Sequence, residues 1–313
     1  MALFRILSLD GGGIRGVLTA ALLERLEEKQ PGFLSLVDLF AGTSTGGILA
    51  LALASGMSAA QVRSLYMNLG SVVFADSIFD NIRDLGNLRS AQYSTGPLKE
   101  ELEKVFGART LFDLPKKVVI SAFELDNLKT EPGRRHWKPK FFHNFPGEGS
   151  DGAEKIVDVA LRTSAAPTYF PMYQRYIDGG VIANNPALCA LAQALEPESG
   201  GQKLSNIRML AVGTGYSPNF ITEQNADWGL VQWAPRLISI MMEGAVGLAH
   251  YQSTQLLGSH YFRINPRLPL PISLDGTKQI DLMLGLAAQF DLEEAGIWLK
   301  KNFRHPDKKP AGS

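Results

Sequence analysis

The residues with the clearest chemical potential are Ser44 and its neighbours in Gly42-Thr43-Ser44-Thr45-Gly46, a G-x-S-x-G. Glycine two positions to either side of a serine suits a turn too tight for bulk, and such a turn lifts the hydroxyl clear as a nucleophile. Gly11-Gly12-Gly13-Ile14-Arg15-Gly16 is the second feature, a run of backbone amides with few side chains to shield them, suited to binding an oxyanion or a phosphate. The third is Asp178 before Gly179-Gly180, a carboxylate that is either a plain turn residue or a base. Of the five histidines, His136 and His143 precede Asp178, His250 falls inside an apolar helical pattern and His305 lies in the tail. His260 is therefore the candidate for a Ser-Asp-His arrangement. No two histidines have ligand spacing with a carboxylate between them, so no metal or other cofactor is expected.

These residues need elements to hold them. An apolar run ending at Ala41 reads as a buried strand, and the Ala- and Leu-rich residues after Ser44 read as a buried helix, the strand-turn-helix context that a nucleophile elbow requires. Phe4 to Asp10 reads as a strand feeding the glycine run, followed by a helix with Leu18, Leu22 and Leu26 on one stripe. The same letters fit G-x-G-x-x-G, a dinucleotide fingerprint. That fingerprint wants an acid at the far end of the second strand, and Asp38 precedes most of its strand.

Further along, Ser58 and Gln61 have capping-box spacing, with Gly70 as the expected helix stop. Val72 to Ser94 has no clean period and reads as a mobile cover. Pro97 opens a helix closed by Gly107. Lys117 to Phe123 and Lys140 to Phe145 read as strands joined by a basic turn holding Lys129, Arg134, Arg135, His136, Lys138 and Lys140 with Trp137 among them, either a solvated loop or a phosphate contact. Ile156 to Thr163 reads as a helix, Tyr176 to Asp178 as a short strand, Asn185-Pro186 as the cap of a helix to Leu195, and Ile207 to Val212 as a strand. Phe220 to Gln232 reads as loop. A long helix from Pro235 to about Leu257, a strand at Tyr261 to Ile264 and a terminal helix from Asp281 to Lys301 complete the pattern. Strands alternating with helices predict an α/β fold with three layers, α/β/α, around a mostly parallel central sheet. No linker divides residues 1–305, and 306–313 read as a disordered tail.

Composition narrows the partners. Thirty-one basic residues balance thirty-one acidic ones, so no overall field draws the chain to nucleic acid. The lone Cys189 rules out an internal disulfide, which suits a cytoplasmic protein, and no apolar stretch reaches the ~18 residues of a spanning helix. Any membrane contact is then local and peripheral, with Phe74, Ile78, Phe79, Trp228 and Trp233 as the apolar candidates or else as core.

Taken in order, Asp10-Gly11-Gly12-Gly13-Ile14-Arg15-Gly16, Gly42-Thr43-Ser44-Thr45-Gly46-Gly47 and Asp178-Gly179-Gly180, with Ala166-Pro167-Thr168-Tyr169-Phe170-Pro171 before the aspartate, resemble the patatin-like phospholipases over roughly residues 4 to 215. That resemblance implies a lipid acyl hydrolase acting on (lyso)phospholipid at a membrane surface, with Ser44 as nucleophile and Asp178 as base of a Ser-Asp dyad. It implies an oxyanion hole from the amides of Gly11, Gly12, Gly13 and Arg15. Compact bacterial relatives include effectors of anti-phage defence that a cyclic dinucleotide switches on, for which the segment around Arg134 and Arg135 would be the phosphate contact. The rival from another class is a nucleotide-binding or regulatory module built on the glycine run, which leaves Ser44 and Asp178 without a task.

Overall fold

The computed structural model describes residues 3–73, 91–223, 225 and 227–303. The expected cover over 72–94 lies mostly outside the described residues, as do Phe74, Ile78, Phe79, His305 and the tail 306–313.

Seven strands among the described residues form one sheet: β1 (Phe4–Leu9), β2 (Leu39–Thr43), β3 (Lys117–Glu124), β4 (Lys138–His143), β5 (Tyr176–Asp178), β6 (Ile207–Val212) and β7 (Tyr261–Ile264). Their spatial order is β4-β3-β2-β1-β6-β7, with β5 also paired to β3. The neighbours from β3 through β7 run parallel, and β4 and β5 are antiparallel to β3. Period-two alternation sends Leu7 and Leu9 of β1 into one core and Ile6 into the other, and β6 likewise divides Leu210 and Val212 from Met209 and Ala211. Such strands, apolar on both faces, need cover on both.

On the larger side lie α1 (Gly16–Lys29), α2 (Thr45–Ala54), α3 (Ala59–Val73), α4 (Gly96–Phe106) and α5 (Ile156–Thr163). Every residue of α2 is buried, as its unbroken apolar sequence demands. Each fully buried leucine there, such as Leu49 or Leu51, contributes about 2 kcal/mol. On the other side are α7 (Ala187–Leu195), whose Ala190, Leu191 and Ala194 face the sheet, and the long α8 (Leu230–Leu257), separated from β5 by the short α6 (Gly180–Ala183). Helices α9 (Ile280–Gln289) and α10 (Glu293–Asn302) return to pack on α1.

Several boundaries differ from the sequence expectation, each for a local reason. The capping box forms, with Ser58 N–H donating to Gln61 Oε1 at 2.8 Å and Gln61 N–H to Ser58 Oγ at 3.2 Å. Helix α3 nevertheless runs past Gly70 to Val73, because that glycine serves packing: a Cβ there would lie 2.7 Å from Ile14 Cδ1. Strand β4 stops at His143, two residues early, because Asn144 turns inward: its amide donates to Leu111 O and Lys116 O and its Oδ1 accepts from Val118 N–H. Helix α8 starts at Leu230, so Pro235 sits in its second turn and leaves the carbonyl of the exposed Val231 to solvent. The terminal helix is two helices, with Asp291 Oδ1 accepting the Glu293 N–H at 2.8 Å in the turn that leads into the second.

Candidate active site

Register places the site. Thr43 pairs with Ser121 and the next residue of β3, Ala122, pairs with Asp178, so the residue leaving β2, Ser44, meets the end of β5. Ser44 has φ 54° and ψ −125°, a strained conformation for a residue with a side chain. The surroundings enforce it. A Cβ on Gly42 would lie 2.1 Å from Gly46 O, and one on Gly46 would lie 2.2 Å from Leu9 O, so both glycines are demanded by contact. Ser44 N–H donates to Thr163 Oγ1 at 2.9 Å, and the Thr163 hydroxyl donates to Ser121 O at 2.5 Å. Thr43 Oγ1 donates to Ala183 O at 2.6 Å.

Although Ser44 occupies the N-cap position of α2, its side chain caps nothing. It stands beside Asp178 instead, where its hydroxyl acts as a donor that pulls the carboxyl's titration down. Asp178 is buried, and its Oδ1 also accepts the Gly180 N–H at 2.6 Å. Burial pushes the carboxyl up to about 7, against the pull of those two donors. A carboxylate in that range is far better matched to accepting a serine proton than one near 3.8.

The glycine run contributes fewer donors than expected. Gly11 N–H donates to Asn184 O at 2.9 Å, Ile14 N–H to Leu274 O at 2.7 Å and Arg15 N–H to Gly12 O at 3.1 Å. The Gly11 and Arg15 amides are thus already engaged, which narrows the expected set of Gly11, Gly12, Gly13 and Arg15 to the amides of Gly12 and Gly13. Those two have no acceptor among the described residues, and Gly12 is buried, where an unpaired N–H calls for a partner. The run is glycine for want of room: Cβ atoms on Gly11, Gly12 and Gly13 would meet Asn184 Oδ1, Thr214 Oγ1 and Leu274 O, each at 2.2 Å.

Ser44 lies in a cleft with Ile48, Leu69, Val73, Leu98 and Phe170 on its walls, an apolar lining suited to an acyl chain. Tyr66 closes one side, its hydroxyl bonded to Thr45 Oγ1. None of the described histidines lines the Ser44 cleft. His260 precedes β7, at the amino edge of the parallel sheet, whereas Ser44 follows β2 at the carboxyl edge. His143 ends β4 opposite Val119 near the amino end of β3, His136 donates to or accepts from its own loop, and His250 contacts the Tyr261 hydroxyl at 3.3 Å. The Ser-Asp-His alternative therefore has no base in place. Among the described residues no three His, Cys, Asp or Glu side chains are grouped to hold a metal ion.

Four contributors had no task assigned from the sequence: Asp10, Arg263, Thr214 and Thr163. Asp10 forms a buried, bidentate ion pair with Arg263 of β7, at 3.2 and 2.5 Å, which ties the glycine run to the far end of the sheet. Thr214 donates to Gly11 O at 2.9 Å, and Thr163 holds the elbow as described. Their signals are contacts between residues far apart in sequence, which no local pattern carries. In the basic turn, Arg134 pairs with Glu131, Arg135 with Asp126, Lys138 with Glu124 and Lys140 with Asp151. Its charge is largely neutralised locally, which favours the solvated-loop reading. Trp228 and Trp233 are half-buried on each other at 5.2 Å, with Arg236 over Trp228 at 4.7 Å.

A family model described as Patatin-like phospholipase matches residues 7–191. The chain is 31% identical to CotR of Bacillus subtilis over 97% of this chain and 99% of that protein. It is 32% identical to a cGAMP-activated phospholipase of Vibrio cholerae over 87% of this chain and 84% of that one. Among solved structures, the ExoU–SpcU complex of the Pseudomonas aeruginosa type III secretion system aligns at 16% identity and a TM-score of 0.47, covering 96% of this chain and 52% of that one.

Proposed function

The chain belongs to the patatin-like phospholipase family, and from that premise we propose that it is a serine-dependent lipid acyl hydrolase in which Ser44 is the nucleophile and Asp178 the base. The observation that carries this reading is Ser44 on an apolar cleft, set by the register of the sheet beside the buried Asp178, whose carboxyl is raised to about 7. As Ser44 Oγ bonds to the ester carbonyl carbon, its proton passes to Asp178. The carbonyl oxygen becomes an oxyanion received by the amides of Gly12 and Gly13. Collapse of that intermediate breaks the ester C–O bond, and the leaving alcohol takes the proton back from Asp178. Water then attacks the acyl-Ser44 ester, giving its proton to Asp178; collapse breaks the bond between the acyl carbon and Ser44 Oγ, which takes that proton back as the fatty acid is released.

The same reading makes residues 1–305 one catalytic domain that meets its phospholipid at a membrane surface without crossing it. Among the described residues no helix is long and apolar enough to span a membrane. Because a relative of 32% identity is named for activation by cGAMP, a cyclic dinucleotide is the activator to try first. Mass spectrometry of liposomes incubated with the protein, with and without cyclic dinucleotides, tests substrate and activator together. Release of fatty acid that Ser44→Ala abolishes is the expected result, along with fluorophosphonate labelling of wild type alone. Labelling that persisted in the mutant would overturn the assignment.

A further inference from the structure

Outside the acyl cleft, a second cavity of about 430 Å³ without a task in the mechanism lies on the other side of the glycine run. It opens at the carboxyl ends of β1, β6 and β7, where Asp10, Thr214 and Asn265 follow those strands. The chain leaves β1 toward β2 on one side while β6 lies on the other, so this is the point at which the strand order reverses. Ligands of open α/β sheets bind in the crevice at such a point. One face of α8 forms the opposite wall through Glu243, Val246, Gly247 and His250, residues spaced to share a helix face.

Its charge is mixed and mostly unpartnered. Asp10 and Arg263 neutralise each other, leaving Arg15 and Glu243 as the free cation and anion. Arg15 is half-buried and uses only its Nε, which donates to Gly12 O at 3.3 Å; its two Nη groups have no partner among the described residues. Glu243 faces it without forming an ion pair and has one modest contact, from Asn219 Nδ2 at 3.3 Å. Asn184 lines the cavity too, and its Oδ1 is buried with no donor. The cavity adjoins the nucleophile. The point where a Cβ on Gly11 would sit lies 2.2 Å from Asn184 Oδ1 and 3.2 Å from Ser44 Cβ, so one glycine separates this wall from the serine.

We propose that this cavity is the headgroup site of the phospholipid and that Glu243 selects a zwitterionic headgroup, phosphoethanolamine or phosphocholine, by facing its ammonium while Arg15 meets its phosphate. The inference rests on the acyl-hydrolase reading and deepens it. With the fatty-acyl chain in the apolar cleft and the ester carbonyl at Ser44, the glycerol crosses Gly11 and Gly12 and the phosphate enters beside Arg15. A phosphatidylglycerol headgroup would set a neutral glycerol against Glu243 and leave that carboxylate without a cation, whereas a zwitterion brings one charge of each sign to a cavity that offers one of each.

The test presents the full chain with vesicles of uncleavable ether lipid that contain one cleavable ester lipid at a time: phosphatidylethanolamine, phosphatidylglycerol or diacylglycerol. Initial rates of fatty-acid release are the readout, and melting curves of each variant establish that it is folded. Wild type should cleave phosphatidylethanolamine about fivefold faster than phosphatidylglycerol, the scale of an exposed ion pair. Glu243→Gln should bring that ratio near one and Glu243→Lys should invert it. Arg15→Gln should slow both phospholipids relative to diacylglycerol. A ratio unmoved by either Glu243 variant overturns the selection, and an equal loss on all three lipids in Arg15→Gln overturns its phosphate role. If wild type cleaves soluble esters and labels at Ser44 yet ignores the headgroup, this inference alone fails. If it cleaves nothing and does not label, the hydrolase reading fails first.

Discussion

At the scale of single residues, Asp178 governs the pH response. With its carboxyl near 7, the base form is half-populated at that pH, so kcat/KM on a soluble ester should rise with a midpoint near 7 and level off above. A midpoint near 4 would remove Asp178 from the role. The same shift has a stability consequence of opposite sense. In the unfolded chain the group titrates near 3.8, so between there and about 7 the folded state holds the extra proton and stability falls as pH rises; above about 7 the penalty is complete. Asp178→Asn keeps an oxygen for Ser44 and Gly180 but carries no charge. It should therefore be inactive, by about 10⁴-fold or more, and should melt several degrees above wild type at alkaline pH, with the gap closing toward pH 4. Equal melting across that range would show that the carboxyl is not held protonated by burial. His260→Ala, at the opposite edge of the sheet, should keep its rate within about tenfold of wild type. Ser44 and Asp178 were legible in the sequence because each sits inside a short motif whose spacing a tight turn dictates. Thr163, Asp10 and Arg263 were not, since each acts through a partner that only the register of the sheet brings near.

Among the elements, the elbow is where backbone contact leaves least freedom. Gly46→Ala would drive a methyl into Leu9 O, a strand carbonyl that cannot move without disturbing β1. The expected cost is about 3 kcal/mol, with loss of activity, measured by denaturant unfolding and ester turnover. A mutant of wild-type stability would mean that the elbow relaxes freely. The buried helix after Ser44 and the alternating strands were readable because their apolar patterns are continuous. Element ends were harder, because the deciding contact lies outside the local pattern. Gly70 resembled a stop but fills a narrow approach to Ile14, and Asn144 ends β4 by bonds to Leu111, Lys116 and Val118. The terminal helix breaks between Gln289 and Glu293. Asp291→Ala should remove the turn bond that leads into α10 and lower stability by about 1 kcal/mol, seen as a shifted denaturant midpoint at constant slope; an unchanged midpoint would mean that Phe290 and Leu292 set the break without it.

For the whole molecule, the question is how a chain with no net charge and no spanning helix among its described residues brings Ser44 to a lipid surface. The exposed apolar side chains are not spread evenly. Phe220 is 81% exposed and Val231 83%, and with Ile221, Leu237, Ile240 and Met241 they lie on the segment before α8 and on its first turns. Phe220, Ile221 and Ile240 share a surface depression with Glu243, which also lines the mixed-charge cavity beside the nucleophile. The apolar rim and the proposed headgroup site are therefore continuous, and a lipid passing from bilayer to Ser44 would cross the rim first. Inserting one phenylalanine and one valine into the interface gains at least about 1.4 kcal/mol, or tenfold in partitioning. Replacing both by aspartate removes that gain without touching the cleft. Phe220→Asp with Val231→Asp should lower co-sedimentation with vesicles by about tenfold and slow fatty-acid release from them to match, while turnover of a short soluble ester stays at the wild-type rate. Vesicle activity that persisted in this double mutant would place the membrane-facing surface elsewhere on the molecule.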